Sequence, residues 1–440
     1  MTEDTKSKQL IVPYYHILWA STDDEHIIIR YADQHGKNDL KPTLARYSLE
    51  HISLETVNGW IERLLDLAYD KAIRRKRMKI LINPHSGQGK AQQLYRREIA
   101  PLFDAAGCRL DVEITKYVGH AKEIAKSLDS DSWDVIACAS GDGTPHEVFN
   151  GLAEQEHPQK ALAKIAVVQL PCGSGNAMSW NLCGTGNPSL AALAIVKGRK
   201  TPLDLISITQ GNRRYLSFLS QSLGIVAESD LGTDNIRWMG PARFDVGFLL
   251  RVFFKTTYPA ELWLGVETED KLTIQQTFFQ QASEHFERPS VSTMDALPPL
   301  QFGTIRDPVP ADWKHIDYPN LGNFYAGNMP FMAPEANFFP YAQPCDGTLD
   351  LLTIDGDISR RRALHLASDV KNGTLFDQPE AFYRKLVGYR IIPKAKQGYI
   401  SIDGEAVPWD GFQAEIHRGL GTVLSKSPSL YERQGKDVLI

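Results

Sequence analysis

The sequence predicts two architectures in succession: a three-layer α/β domain with a mainly parallel sheet, then a mainly β, sandwich-like domain. Three observations lead there. Between Met78 and about Val196, short apolar runs alternate with helical stretches. Glycine-rich loops follow three of those runs. After about Pro202, strand-like stretches dominate. A length of 440 residues exceeds one ordinary domain. The expected division is an N-terminal extension, partly β, over 1–71, the α/β domain over 72–204 and the β-rich domain over 205–440.

In the extension, Leu10-Ile11-Val12 and the stretch from His26 to Ala32 read as strands on either side of the acidic turn Thr22–Glu25. From Leu54 to Tyr69 the spacing becomes helical, with Val57, Trp60, Ile61, Leu64 and Ala68 on one face. The basic cluster Lys71, Arg74, Arg75, Lys76, Arg77 and Lys79 is either a solvated helix end or a patch for anionic lipid. Next come expected strands at Met78–Asn83, Leu110–Thr115, Asp134–Ala139 and Lys164–Leu170. Helices are expected at Gly89–Phe103, Ala121–Leu128 and Pro145–Glu154. In open α/β sheets ligands bind at the carboxyl ends of the strands. Further strands are expected at Leu205–Thr209, Tyr215–Leu219, Tyr399–Ile402 and Phe412–His417. Residues 266–320 contain Pro289, Pro298, Pro299, Pro308 and Pro310 and read as an insertion or mobile loop.

Composition narrows the function classes. The chain is 42% hydrophobic and 23% charged, which suits a packed globular protein. Lys plus Arg number 48 against 53 Asp plus Glu, a net charge of -5, so no nucleic-acid partner is expected. Five scattered cysteines form no C-x-x-C pair and suggest neither a disulfide framework nor a structural zinc site. The polar N-terminus argues against a signal peptide. No apolar run reaches the roughly 18 residues a spanning helix needs. A cytoplasmic protein with peripheral membrane contact is the expectation.

Three motifs point to phosphate chemistry. In Asn83-Pro84-His85-Ser86-Gly87-Gln88-Gly89-Lys90 a strand enters a glycine loop, where backbone N–H groups can approach an anion. It is neither a Walker loop nor a dinucleotide fingerprint, because Pro84, Ala91 and Gln92 stand where those need other residues. In Ser140-Gly141-Asp142-Gly143-Thr144-Pro145-His146-Glu147 a carboxylate sits bare between glycines. Asp142 so placed can accept a hydroxyl proton. Thr144 and Glu147 have capping-box spacing, and Glu147 is open to either capping or ligand contact. Pro171-Cys172-Gly173-Ser174-Gly175-Asn176-Ala177 is a third loop of the same kind. One polyphosphate at the strand ends accounts for all three. Asp403-Gly404-Glu405 combines a hairpin turn with a possible Mg²⁺ contact. The apolar run Phe244–Phe254 is either a core helix or the wall of a long apolar pocket.

Together these residues resemble the diacylglycerol-kinase-like lipid kinases, and within them the sphingosine (sphingoid long-chain base) kinases, from about Met78 to Ser425. The loops match the family's N-P-x-x-G-x-G-x-A, S-G-D-G-T-x-x-E-V-x-N-G-L and P-x-G-S-G-N-A elements. Asn328–Ala336, Asp346–Asp350 and Tyr399–Glu405 resemble later blocks. The resemblance implies an ATP site formed by Asn83, Pro84, His85, Gly87, Gly89, Thr115, Lys116, Tyr117, Val118 and Gly119. It adds Glu147, Gly173, Ser174, Gly175, Arg237, Arg243, Asp403, Gly404 and Glu405, with Asp403 as the Mg²⁺ contact. It makes Asp142 the catalytic base and implies substrate contacts at Ser140, Gly141, Asp142, Gly143, Asp230 and Phe244. A carboxylate at Asp230 suits a cationic sphingoid amine. Phe248 stands where some relatives carry a small polar residue.

The expected reaction phosphorylates the primary hydroxyl of a sphingoid base with ATP and Mg²⁺, at a transiently visited membrane surface. The alternatives are a kinase for diacylglycerol or ceramide, a soluble-substrate kinase and a lipid-binding regulator without turnover.

Overall fold

The computed structural model describes residues 10–23, 25–49, 53–232, 257–282 and 296–433. A three-stranded antiparallel sheet comes first: β1 (Ile17–Thr22), β2 (His26–His35) and β3 (Asp39–Ser48). Leu10–Val12 is not a strand. Pro13 follows it, cannot donate to a ladder, and leads into a 3-10 turn at Tyr14–His16. The helix Leu54–Tyr69 spans the residues its periodicity indicates, and its N-cap Ser53 accepts from Thr56 N at 3.3 Å. Its buried face is Val57, Ile61, Leu64, Leu65, Ala68 and Tyr69. Trp60 lies outside that stripe and is exposed.

Most of the basic cluster is paired or buried within the fold, while Lys71 is exposed. Arg74 pairs with Glu62 and Asp66, and Arg75 stacks 4.0 Å over the Trp19 ring. Arg77 pairs with Asp134, and Lys79 with Asp111 and Glu113. Lys76 is buried.

Strands β4 (Arg77–Ile82), β5 (Arg109–Ile114), β6 (Val135–Ser140) and β7 (Ala166–Pro171) form a parallel sheet in the order β5-β4-β6-β7. Alternate residues face opposite sides. Met78, Ile80 and Ile82 pack with Tyr95, Ile99 and Phe103. Leu81, Ile136, Cys138 and Val167 pack with Ala121, Val148 and Phe149. Helices therefore cover both faces, giving the expected three layers. The chain leaves β4 to one side and returns to the other, so a crevice opens at the carboxyl ends of β4 and β6.

The later strands are β8 (Arg199–Gln210), β9 (Arg213–Ser217), β10 (Ser220–Gly224), β11 (Ala260–Thr268), β12 (Lys314–Tyr318), β13 (Leu321–Gly327), β14 (Phe331–Ala333), β15 (Ala336–Asn337), β16 (Leu349–Asp355), β17 (Phe382–Pro393), β18 (Ile400–Ile402), β19 (Glu405–Val407) and β20 (Phe412–Ser425). All but β14 and β15 form one 11-stranded sheet whose pairings are antiparallel. The long β17 pairs with β16 through its first half and β20 through its second, while β11 runs along β17 as well. The sheet divides there, and its arms pack Phe324, Tyr389 and Phe412 into one core. The α/β and β parts also share a core, with Phe149 and Phe218 rings 5.4 Å apart.

The described part of 266–320 is not a structureless loop. It holds the end of β11, the helix Lys271–Ala282 and β12. Its prolines 298, 299, 308 and 310 fall between these elements, where a missing N–H breaks no ladder.

Two buried lysines donate to backbone carbonyls of distant segments, and Lys197 ties the N-terminal sheet to the rest. Lys197 Nζ donates to Ile17 O and Ala68 O and lies 3.8 Å over the Tyr69 ring. Lys76 Nζ donates to Ile73 O and Val196 O at 2.9 and 2.6 Å. Among the described residues neither forms an ion pair. Burial lowers Lys197 to about 7 and Lys76 to about 8. Above pH 7 the folded chain therefore binds fewer protons at these sites than the unfolded chain, so they make stability rise with pH. The thermal midpoint measured from pH 7 to 8.5 should climb less steeply in Lys197→Met than in the unaltered chain. Parallel profiles would contradict this assignment.

Candidate active site

The three glycine loops meet because their glycines lack side chains. A Cβ on Gly173 would run into Gly141 Cα, and one on Gly87 into the Cys172 carbonyl oxygen. In the first loop Asn83 Oδ1 accepts from His85 N at 3.0 Å. Gly87, Gln88 and Gly89 then take left-handed backbone, and the helix begins only at Ala91. In the third, Gly173 N donates to Asn176 Oδ1 at 2.8 Å, which shapes the turn before the helix Ala177–Cys183.

Asp142 sits between the second and third loops. Its Oδ2 accepts from Ala177 N at 3.0 Å. Its Oδ1 accepts from Met178 N at 3.0 Å and Gln169 Nε2 at 3.2 Å. Gln169 is oriented in turn by Ser179 N, which donates to its Oε1 at 2.9 Å. Burial raises the proton affinity of Asp142 above the usual aspartate range, and the negative Asp403 adds to that. The donors from Met178, Ala177 and Gln169 work against the rise without cancelling it. Gly175 leaves Oδ2 uncovered, since a Cβ there would come within 3.3 Å of it.

The capping box expected at Thr144 and Glu147 does not form. The helix Gly143–Leu152 starts two residues earlier, with Asp142 at its N-cap. Glu147 instead accepts from Gly119 N at 2.9 Å and Ala121 N at 3.1 Å. It thus caps the neighbouring helix His120–Ser127, whose first N–H groups have no intrahelical acceptor.

Asp403-Gly404 is a two-residue hairpin loop between β18 and β19, with both residues at positive φ. The Asp403 side chain is fully buried. Its Oδ1 accepts from Ser217 Oγ, Leu219 N and Ser220 N at 2.6, 2.9 and 2.9 Å. Its Oδ2 accepts from Phe218 N at 3.1 Å and pairs with His146 Nδ1 at 2.8 Å. Five partners occupy this carboxylate, so it does not fit the metal contact expected of it. Burial alone would lower the His146 pKa, but Asp403 outweighs burial and holds it above the usual imidazole value. Glu405, two residues on, is exposed and lies against Gly143.

One cavity of about 1100 Å³ joins these parts. Asn83, His85, Gly87, Thr115, Tyr117 and Val118 line one end, with Glu147 and all three loops. Gly141, Asp142, Gly143, Gly173, Ser174, Gly175, Asp403, Gly404 and Glu405 are on its wall. Pro84, Gly89, Lys116, Gly119 and Ser140 belong to the same loops but are not on the cavity lining. Ser140, for example, is buried and donates to Gly141 O. The other end is mainly apolar, with Val226, Tyr325, Phe338, Ile354, Leu366 and Val370, and Asp355, Arg360 and Lys371 are on the lining as well. Arg237, Arg243, Phe244 and Phe248 lie outside the described residues, as does the side chain of Asp230; its backbone belongs to the helix Ile225–Leu231. Sequence reasoning missed Gln169, and it missed the helix Arg360–Asn372. That helix faces the cavity with Ala363, Leu366, Ala367 and Val370, a helical spacing present in the sequence. Among the described residues no cluster of three or more His, Cys, Asp or Glu side chains could hold a metal, and no helix is long and apolar enough to cross a membrane.

The diacylglycerol kinase catalytic domain matches residues 77–208, and a domain of unknown function matches residues 1–70. Sphingoid long chain base kinase 5 of Saccharomyces cerevisiae is 35% identical over 86% of this chain, which spans 62% of that protein. Sphingoid long chain base kinase 4 of Schizosaccharomyces pombe is 33% identical over 96% of this chain and 89% of its own length. Sphingosine kinase 1 of Arabidopsis thaliana is 31% identical, with coverages of 80% and 76%. The crystal structure of a diacylglycerol kinase from Bacillus anthracis str. Sterne superposes with a TM-score of 0.54 at 19% identity. It covers 80% of this chain and 97% of its own, a likeness of fold.

Two outcomes follow from the geometry. Asp403→Asn should lower stability by about 3 kcal/mol in denaturant unfolding, because buried donors lose their acceptor; a loss under 1 kcal/mol would show the anchor to be dispensable. Gly173→Ala should destabilise by about 1–3 kcal/mol through backbone overpacking and remove stabilisation by added ATP. Gly141→Ala should be the milder change, since its Cβ would meet Gly173 Cα at 3.7 Å. Equal behaviour of the two variants in thermal shift would contradict the loop contact.

Proposed function

The chain belongs to the sphingoid long-chain base kinases of the diacylglycerol-kinase-like family, and from that premise we propose that it transfers the γ-phosphoryl group of ATP to the primary hydroxyl of a sphingoid base. The observation that supports this most is the single cavity with glycine loops and a carboxylate at one end and apolar walls at the other. Polyphosphate suits the first end, where bare glycines let N–H groups approach. A long alkyl tail suits the second.

Asp142 is the general base in this reading. Its uncovered Oδ2 takes the hydroxyl proton as the lipid oxygen attacks the γ-phosphorus, and the bond to the bridging oxygen breaks to release ADP. Two backbone N–H groups and Gln169 hold the carboxylate in place. Burial makes it a stronger base than an exposed aspartate. Asn83, His85, Thr115, Tyr117, Val118, Glu147, Gly173, Ser174 and Gly175 surround the nucleotide. Arg237 and Arg243 belong to the nucleotide end by resemblance, and Asp230 and Phe244 to the lipid end, with Asp230 facing the amine.

An exposed carboxylate beside the second loop suits a Mg²⁺ ion held by one or two carboxylates plus phosphate oxygens, and Glu405 is that residue in place of Asp403. Bound there, the ion would neutralise phosphate charge. Such a substrate is dissolved in bilayers, so the cytoplasmic chain visits a membrane surface transiently.

A panel of sphingosine, dihydrosphingosine, diacylglycerol and ceramide with labelled ATP tests the substrate class. Turnover should be confined to the free sphingoid bases, and preferred phosphorylation of diacylglycerol or ceramide would overturn the assignment. Asp142→Asn should keep its thermal midpoint within a few degrees and lose about 10²-fold or more in kcat. A folded variant with near-normal kcat would remove Asp142 from the reaction.

A further inference from the structure

Strand β7 is buried along its whole length, and Gln169 is the one polar side chain among its six residues. A buried amide is costly unless its groups are bonded, and this one is bonded on both sides. Ser179 N donates to Gln169 Oε1 at 2.9 Å. A backbone N–H can only donate, so that bond fixes which way round the amide sits. The Gln169 NH₂ group is thereby turned toward the second glycine loop. There it donates to Asp142 Oδ1 at 3.2 Å and lies 3.5 Å from Ser140 O. Gln169 is 1% exposed and is not on the cavity lining, so it reaches the cavity only through Asp142.

An ionised carboxylate offers about four acceptor positions, two on each oxygen. On Asp142 three of these carry donors. Oδ1 takes Met178 N at 3.0 Å and Gln169 Nε2, which fill it, and Oδ2 takes Ala177 N at 3.0 Å. The remaining position belongs to Oδ2, on the oxygen that Gly175 leaves uncovered. A proton cannot settle where an N–H already points, because that N–H cannot accept in return. Without Gln169, Oδ1 would have a vacant position on the β7 side, away from the cavity. Burial favours the protonated carboxyl, and the Gln169 donor is among those that oppose it. A proton resting on Oδ1 would leave Asp142 neutral and unable to receive another.

We propose that Gln169 is a positioning residue that gives the two oxygens of Asp142 different roles: it closes Oδ1 to protons, so that the lipid's hydroxyl proton is received at Oδ2 alone. The inference rests on the phosphoryl-transfer reading and deepens it. The test measures kcat and KM with ATP and dihydrosphingosine in the unaltered full chain, Gln169→Met, Asp142→Asn and the double variant. Gln169→Met should lower kcat about tenfold, the scale of one hydrogen bond to a charged group, and hold KM for both substrates within about twofold. In the Asp142→Asn background the same change should alter kcat less than about twofold, because no carboxylate is left to arrange. Gln169→Leu repeats the comparison with a second apolar side chain. An unchanged KM for ATP reports that a variant is folded. Equal losses of kcat in both backgrounds overturn the proposal, since they would show Gln169 to serve the fold alone. So does a Gln169→Met kcat equal to that of the unaltered chain, or a loss of ATP saturation together with turnover. Absence of turnover on any sphingoid base in the unaltered chain would be the distinct failure of the parent reading.

Discussion

The buried Asp403 carboxylate is the constraint on which the site's geometry depends. It takes donors from three successive backbone N–H groups, Phe218 to Ser220, from Ser217 Oγ and from the His146 ring. His146 belongs to the helix that follows the second glycine loop, and 217–220 lead from β9 into β10. One side chain therefore fixes the parallel-sheet half against the antiparallel half. A buried charge is costly unless its lone pairs are filled, and here they are. The left-handed turn that presents it needs positive φ at Asp403 itself, which Asp tolerates better than most residues.

With that joint set, the glycine loops can converge. Gly87 lies against Cys172, Gly173 against Gly141, and Gly143 against Glu405. Each contact is backbone or carboxylate against a missing side chain, so the loops approach more closely than any other residue allows. The same closeness sets the state of Asp142. The helix start that would otherwise have unpaired N–H groups finds its acceptor in this carboxylate, and the carboxylate finds its orientation in that helix.

Much of this was legible in the sequence, and the exceptions have physical reasons. The helix Leu54–Tyr69 is amphipathic, so periodicity alone marks it. The glycine motifs announce backbone that no other residue supplies, and they fall at the carboxyl ends of the parallel strands as expected. Local pairing rules failed where a distant partner competed. Glu147 has the spacing to cap its own helix, yet caps the helix His120–Ser127. Asp403 reads as turn chemistry with a free carboxylate, yet residues about 185 positions upstream claim it. The basic cluster reads as a surface because its acidic partners, such as Asp111 on β5 and Asp134 just before β6, are brought in from elsewhere in the chain.

The cavity's two ends make opposite physical demands, and Asp142 stands where they meet. Phosphate binding favours polar, donor-rich surroundings, while an alkyl tail favours walls such as Leu366 and Val370. A base exposed to water would have the weak proton affinity of an ordinary aspartate, and one sealed in apolar surroundings would be protonated before it could act. Asp142 avoids both limits. Burial raises its proton affinity, while the N–H groups of Ala177 and Met178 keep the ionised form supported. In the proposed reaction the burial that raises the proton affinity of Asp142 would serve its role as base, while the apolar half of the cavity would hold the tail.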